Sequence, residues 1–298
     1  MTLLHNPSAG DEDHGRAELE SLITDAGHSV RYQSLDGEGW TEALEHSADV
    51  IVIAGGDGSI REVFTAIGRL STPVLVLPLG SANNIAHTLG LDFARSRSLL
   101  AEASPSPKRF DLWDVRSTWG ASRSVEAVGG GLFAELLAEA EDAPSEPSGP
   151  DKVDFGLRLL ALTLREAVPR RWSIEIDGER IEEELIGVEA MNIRAIGSNL
   201  CFAPDADPSD GLLDVVLVRA DDRGDLAAYV SARLGEEEPD PPRLDAHRAQ
   251  HVVLEPPAEV RLHVDDVLPA WDLTTTRWVE ITPAGSPLEV LAPSTARL

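Results

Sequence analysis

Residues Val50 to Val63, VIVIAGGDGSIREV, pass from an apolar stretch through a glycine-rich bend into a helical pattern without a break. That run commits the chain to a strand, a tight turn and a helix start, the layout through which bare backbone approaches an anion. Gly55, Gly56 and Gly58 carry no Cβ atoms that would hold a polyphosphate away, and their N–H groups can line an anion-binding concavity. Asp57 is the odd member. A carboxylate in such a bend suits a Mg²⁺ ion, a water on that metal or a sugar hydroxyl, because it would repel phosphate directly. No GKS or GKT follows, so the bend is not a Walker A loop, nor does it carry the GxGxxG dinucleotide fingerprint. A ligand-free strand-to-helix turn fits the same residues.

A second bend strengthens the nucleotide reading. Pro73 to Gly90, PVLVLPLGSANNIAHTLG, repeats the design, with a strand at Val74 to Leu77, a turn at Gly80 to Asn83 and a helix from about Asn84. Ser81 and Asn83 offer a hydroxyl and an amide to a ligand, or equally a cap to that helix. A third piece opens the chain, where strand Leu3 to Leu4 leads into HNPSAG with Asn6 and Ser8 at the strand end. Three strand ends with small polar residues would converge on the carboxyl edge of a parallel sheet, where open α/β sheets bind ligands.

The first part of the chain supports such a sheet. Helical stretches at Arg16 to Ala26, Thr41 to His46 and Arg95 to Ala103 alternate with the strands and with Val30 to Gln33. From about Asp111 the texture changes to alternating segments, DLWDVR, RSVEAVGG, RRWSIEIDGER and EELIGVEAMNIR, with a hairpin signal at Asp177-Gly178. The expected fold is an α/β domain with a parallel sheet over residues 1–115, to which 284–298 can return, and a mainly antiparallel β domain over 116–283. A helical insertion near 132–168 interrupts the second domain, with helices at Leu132 to Glu141 and Phe155 to Val168. EDAPSEPSGPDK between those helices is too rich in Pro, Gly and charge to pack, and GEEEPDPPR, Gly235 to Arg243, reads as a second mobile segment.

Fifty-two acidic against 25 basic residues give a net charge of −27. Nucleic acid is excluded as a partner, since no basic face neutralises phosphates, and the same argument weighs against electrostatic docking on anionic lipid. Contact with a membrane would then rest on apolar side chains or local arginines such as Arg165, Arg170 and Arg171. No apolar run reaches the roughly 18 residues of a membrane span, and the N-terminus lacks a signal peptide pattern, so a cytoplasmic protein, peripheral to the membrane at most, is expected. Cys201, the single cysteine, between Leu200 and Phe202, reads as a core residue rather than a nucleophile.

NPSAG, GGDGS with Glu62 three residues on, and PLGSANN resemble the NPxSG, GGDGT…NE and GTxND motifs of the diacylglycerol kinase catalytic family, which includes bacterial lipid kinases and is related to sphingosine kinases and more distantly to NAD kinases. Phe202 to Val215, FAPDADPSDGLLDV, is similar to the family's stretch leading into a structural metal site, and VDDVLP falls where the family has its DGE motif. The resembling segments span Leu4 to about Pro293.

The resemblance implies an ATP-dependent lipid kinase with a diacylglycerol-like substrate, ATP and Mg²⁺ as cofactors, and room for a homodimer. It implies nucleotide binding by Asn6, Ser8, Ser34, Gly55, Gly56, Asp57, Gly58, Ser59, Ile60, Arg61, Glu62, Gly80, Ser81 and Asn83. By the same resemblance Asp265 is the catalytic base, facing a cleft between domains, and a structural Mg²⁺ is held by the side chain of Asp210 with backbone oxygens at Asp207 and Leu212. Three departures stand out: Arg61-Glu62 for the family's NE, Asn84 for the Asp of GTxND, and Val267 for the Glu of DGE. They leave two other expectations beside the first, an NAD or sugar kinase of the same superfamily, and a catalytically impaired nucleotide-binding regulatory protein.

Overall fold

The computed structural model describes residues 1–10, 14–68, 71–102, 106–145, 147, 149–270 and 277–293. The chain divides into two units, Met1–Asp111 with Ser286–Leu298, and Leu112–Gly285.

In unit 1, β1 (Thr2–His5), α1 (Arg16–Asp25), β2 (Arg31–Ser34), β3 (Ile51–Gly55), α2 (Asp57–Ile67), β4 (Val74–Pro78), α3 (Asn84–Thr88), α4 (Phe93–Leu100) and β5 (Pro107–Phe110) follow one another. The stretch expected as a helix at Thr41 to His46 is a 3₁₀ turn, Trp40–Glu45. Ala103, the expected end of α4, lies outside the described residues. Strands β2, β1, β3 and β4 lie side by side in that order and run parallel. Every residue of β3 and β4 is buried, which is why both read as continuous apolar runs rather than alternating ones. Helix α2 turns Ile60, Val63, Phe64 and Ile67 inward, and Phe64 meets the Phe110 ring edge-on at 5.1 Å.

Unit 2 is a sandwich with a helical layer. Its elements are β6 (Trp113–Ser117), β7 (Gly120–Ser124), β8 (Ala127–Gly131), α5 (Leu132–Glu141), α6 (Pro150–Glu166), β9 (Arg170–Ile176), β10 (Glu179–Leu185), β11 (Gly187–Met191), β12 (Ala195–Ile196), β13 (Leu200–Cys201), β14 (Leu213–Val218), α7 (Arg223–Leu234), β15 (Asp245–Ala249), β16 (Val252–Glu255), β17 (Leu262–Val264) and β18 (Val279–Pro283). One antiparallel sheet runs β10-β9-β16-β18-β6-β7 and the other β15-β14-β11-β8-β17. The final strand, β19 (Leu288–Leu291), belongs to unit 1, between β4 and β5.

Strand β14 shows how the layers form. Leu213, Val215 and Leu217 enter the core between the two sheets with Trp113, Trp172 and Ile281, while Val216 and Val218 join Leu136, Leu160 and Leu226 under the helices. The hairpin expected at Asp177-Gly178 joins β9 to β10, with φ of +49° and +88° as a primed turn requires. One expectation needs correcting. Helix α6 begins at Pro150, inside the segment expected not to pack, because proline at the first helical turn loses no hydrogen bond. Helix α7, with Leu226, Tyr229 and Val230 buried, was not anticipated at all.

Candidate active site

The ends of β1, β3 and β4 meet as neighbours in the unit 1 sheet. Asn6 Nδ2 donates to Ser59 Oγ at 2.9 Å, tying the first loop to the start of α2, and Asn6 Oδ1 accepts from the Ser8 amide at 2.9 Å. Ser8 Oγ donates to Asp36 just beyond β2, and Ser34 Oγ accepts from the Asp36 amide. The two glycine bends touch backbone to backbone. A Cβ built on Gly80 would stand 2.6 Å from Gly56 Cα, so Gly80 has no room for a side chain, and one on Gly56 would press on Gly80 Cα at 3.0 Å.

Asp57 is spent on this junction. Its carboxylate accepts from the amides of Asn84 and Ile85, both at 3.0 Å, and so caps α3 from the neighbouring loop. Burial pushes the Asp57 carboxyl upward, with those amides pulling the other way. Asn83, at φ +51°, closes the second bend on itself: Oδ1 accepts from the Gly80 amide at 2.9 Å and Nδ2 donates to the Gly80 carbonyl at 2.6 Å. Glu62 accepts from Trp40 Nε1 at 2.9 Å, and Ile60 is buried in the core. Ser81 and Gly58 remain partly or fully open to solvent, and Ser59 is buried against Asn6. The first-turn amides of α2, at Asp57, Gly58 and Ser59, have no carbonyl to bond within the helix, which leaves donors at the bend for an anion.

In unit 2, β17 ends in a turn with Asp265 at φ +54°. Asp265 is buried, and its Oδ1 accepts from Ser124 Oγ at 2.7 Å and from the amides of Val125, Glu126 and Ala127 at 3.2, 2.9 and 3.1 Å. Among the described residues, Oδ2 accepts from the Val125 amide alone, at 3.1 Å. The segment that donates to Asp265 is held in turn by Asn192, whose Nδ2 donates to the Val125 carbonyl and whose Oδ1 accepts from Trp113 Nε1. Sequence reading singled out Asp265 but none of these partners. Asp266 and Val267 are exposed past the turn, rather than on a continuing strand.

The acidic segment 205–214 is also occupied by donors. Asp207 Oδ1 accepts from the Ser209 amide and hydroxyl at 2.9 and 2.7 Å, and Asp210 Oδ1 accepts from the Leu212 amide at 2.8 Å. Asp210 Oδ2 pairs with the Arg248 guanidinium. Arranged so, the segment does not fit a resident Mg²⁺, because both Asp210 oxygens face donors, one of them cationic. No cluster of three Asp, Glu, His or Cys side chains among the described residues is placed to hold a metal. Asp214, the cross-strand neighbour of Arg248, has its carboxyl raised to about 6 by burial first, with Asp210, Asp205 and Asp207 adding to the rise and Arg248 opposing it. Cys201 is half-buried and its thiol is pushed up by burial, as befits a packing residue.

A groove of about 390 Å³ opens in unit 2 between α5, α6 and the edge of β9. Leu159, Leu162, Val168, Trp172 and Val260 form its apolar surface, and Leu162 and Val168 are 55% and 56% exposed. Glu135, Glu139, Glu166 and Glu259 rim it, with Arg170 held by Glu259 at 2.8 Å. Arg171 is likewise paired, with Glu182 at 2.9 Å, so two of the three arginines expected as a local cluster, Arg170 and Arg171, carry offset charge.

Comparison with known proteins divides the chain in the same two parts. A family model described as the diacylglycerol kinase catalytic domain matches residues 1–114, and one described as the YegS C-terminal NAD kinase beta sandwich-like domain matches residues 131–281. A diacylglycerol kinase of Mycobacterium tuberculosis is 25% identical over 186 residues, which cover 62% of this chain and 59% of that protein. The chain therefore spans under two thirds of that relative. A Bacillus subtilis diacylglycerol kinase is 25% identical over 246 residues, 76% of this chain and 75% of the relative, and a YegS-like lipid kinase of Pseudomonas putida is 28% identical over 233 residues, 74% of each. Among solved structures, a diacylglycerol kinase from Bacillus anthracis superposes with a TM-score of 0.66 at 17% identity, covering 99% of this chain and 97% of the other. Yeast NADH kinase with NADH shares the fold at a TM-score of 0.54 and 13% identity, covering 98% and 83%.

Proposed function

We propose that this chain, which belongs to the diacylglycerol kinase catalytic family, transfers the γ-phosphoryl group of Mg²⁺-ATP to the hydroxyl of an uncharged lipid of the diacylglycerol type. The observation that carries the reading is the backbone contact of Gly56 with Gly80, which joins the two glycine bends at the N-terminus of α2. Amide donors there suit the phosphate tail, and the metal ion arrives with the nucleotide as part of the substrate. Asp57, committed to α3, fixes the second bend in place rather than meeting phosphate.

The transfer needs a group that takes the hydroxyl proton as the lipid oxygen bonds to phosphorus and the bond to the β-phosphate oxygen breaks, ADP leaving with that electron pair. Asp265 takes this part. Its Oδ2, with one amide donor, has a lone pair for the proton, while the donors on Oδ1 keep the carboxylate from turning.

The groove beside α6 supports this substrate class. Its apolar wall suits acyl chains, and its rim, still net acidic through Glu139 and Glu166 after Glu259 pairs with Arg170 and Glu135 with Arg261, favours a lipid that carries no negative charge. Leu162 and Val168 are the side chains for transient contact with a membrane, by apolar insertion rather than charge.

Incubation of the protein with labelled ATP, Mg²⁺ and separate pools of dioleoylglycerol in mixed micelles, NAD and sugars tests the reading. Label in phosphatidic acid is the expected result. Label only on NAD or a sugar overturns the lipid assignment, and ATP binding without transfer to any pool supports the impaired regulatory protein that Asn84 and Val267 suggest.

A further inference from the structure

The five-stranded sheet of unit 2 buries a polar pair that the proposed reaction does not use. Glu189 on β11 and His263 on β17 are both register partners of Gly129 on the strand between them. Their side chains meet across that glycine, His263 Nε2 lying 2.7 Å from Glu189 Oε2, with side-chain exposures of 0% and 2%. Gly129 is required for this contact, because a methyl group there would overlap Glu189 Oε2. The edge of Phe133 closes the space, its centroid 4.9 Å from the imidazole. Glu189 Oε1 has no hydrogen-bond partner among the described residues.

Two ionisable groups this deep cost more than an apolar pair of equal volume would, so packing alone does not explain them. The other face of the imidazole supplies a reason. His263 Nδ1 lies 2.7 Å from the backbone oxygen of Asp265, which can only accept, so Nδ1 carries a hydrogen. One proton then occupies the line between Nε2 and Oε2. Drawn as imidazolium and carboxylate or as imidazole and carboxylic acid, the pair is neutral and Nδ1–H is retained. Burial pushes the Glu189 carboxyl up; burial pulls the His263 imidazole down, but the Glu189 charge and hydrogen bond outweigh it and leave the imidazole raised.

We infer that Glu189 and His263 are positioning residues, whose shared proton locks the His263 tautomer that grips the Asp265 carbonyl and so holds Asp265 in its left-handed conformation. The inference rests on Asp265 as the proton acceptor proposed above. A non-glycine residue at φ +54° persists only where its surroundings fix it, and three contacts do so here: Nδ1–H on the carbonyl, the Ala127 carbonyl on the Asp265 amide at 2.8 Å, and the donors on the carboxylate. Without Glu189 the neutral imidazole is free to carry its hydrogen on Nε2, and a bare Nδ1 would then face the carbonyl.

Imidazole ¹⁵N spectra of the wild type read the tautomer directly, and a protonated Nδ1 is expected at neutral pH. In kinetics, Glu189→Ala is expected to lower kcat at least about tenfold with KM for ATP changed less than about twofold, whereas Glu189→Gln, whose amide can donate to Nε2, restores most of kcat. An unprotonated Nδ1 in the wild type, full kcat in Glu189→Ala, or equal losses in Glu189→Ala and Glu189→Gln would each overturn the inference. Should Glu189→Ala fail to fold, the wild-type spectrum and Glu189→Gln decide alone. Asp265→Asn separates the two readings: if it keeps full activity, the assignment of Asp265 as proton acceptor fails, while a protonated Nδ1 still reports the lock on its backbone.

Discussion

The glycine bends of unit 1 and the Asp265 turn of unit 2 fix their geometry by opposite means. In the bends, each strand, turn and helix start lies in one contiguous run, and the meeting of Gly56 with Gly80 follows from neighbouring parallel strands. In the turn, the groups that hold one carboxylate come from positions 138 to 141 residues earlier in the chain, and the groups behind it from β11 and β17. The contact between the bends needs bare backbone at Gly56 and Gly80, and Asp57 and Asn83, both inside those same runs, pin it. A carboxylate gripped by distant amides and a hydroxyl needs each partner in place, and a single substitution therefore acts differently on each region.

The sharpest break should come at Asp265. Asp265→Asn keeps the shape but removes the proton acceptor, and kcat is expected to fall by about 10²–10⁴ with ATP affinity retained, measured by steady-state assay and calorimetry. Gly80→Ala should act on the other region alone. Its new methyl must push the bends apart, so the Kd for Mg²⁺-ATP should rise at least about tenfold while circular dichroism stays native. Equal loss of nucleotide binding in both variants would erase the contrast.

Asp214 sharpens the comparison by pH. A carboxyl at about 6 in the folded state against an ordinary value of 3.8 binds more protons folded than unfolded, so its contribution to stability declines as pH rises from about 4 to about 6 and stays constant above. Asp214→Asn should stabilise the fold at pH 7.5 by about 1 kcal/mol, read as a higher urea midpoint, and leave the midpoint unchanged near pH 4. The smallest effect belongs to Arg248, whose half-exposed pair with Asp210 is worth about 0.5 kcal/mol. Arg248→Ala frees an Asp210 oxygen, so added Mg²⁺ should raise the melting temperature of the variant and not of the wild type.

The same contrast governs how much could be read from the sequence. The fold class, parallel α/β followed by antiparallel β, was legible because apolar runs, alternation and the Asp177-Gly178 turn are local signals. Helix α5 at Leu132–Glu141 falls where its pattern places it. Helix α7 was missed because Arg223 to Leu234 offers a thin apolar stripe, Leu226, Tyr229 and Val230, among alanines and charges. At the candidate site the residue types were legible and their commitments were not. Asp57 suggested a metal or sugar and caps α3; Asn83 suggested a ligand and closes its own bend. The Glu189–His263 pair has no sequence signal, since its members stand 74 residues apart and their meeting depends on a glycine in a third strand.

Titration calorimetry of Mg²⁺-ATP into the wild type and Gly80→Ala tests the central claim, that touching glycine bends form the nucleotide site. Saturable uptake by the wild type and at least about tenfold weaker uptake by a folded Gly80→Ala is the result expected. No uptake by the wild type, or equal uptake by both, would contradict it.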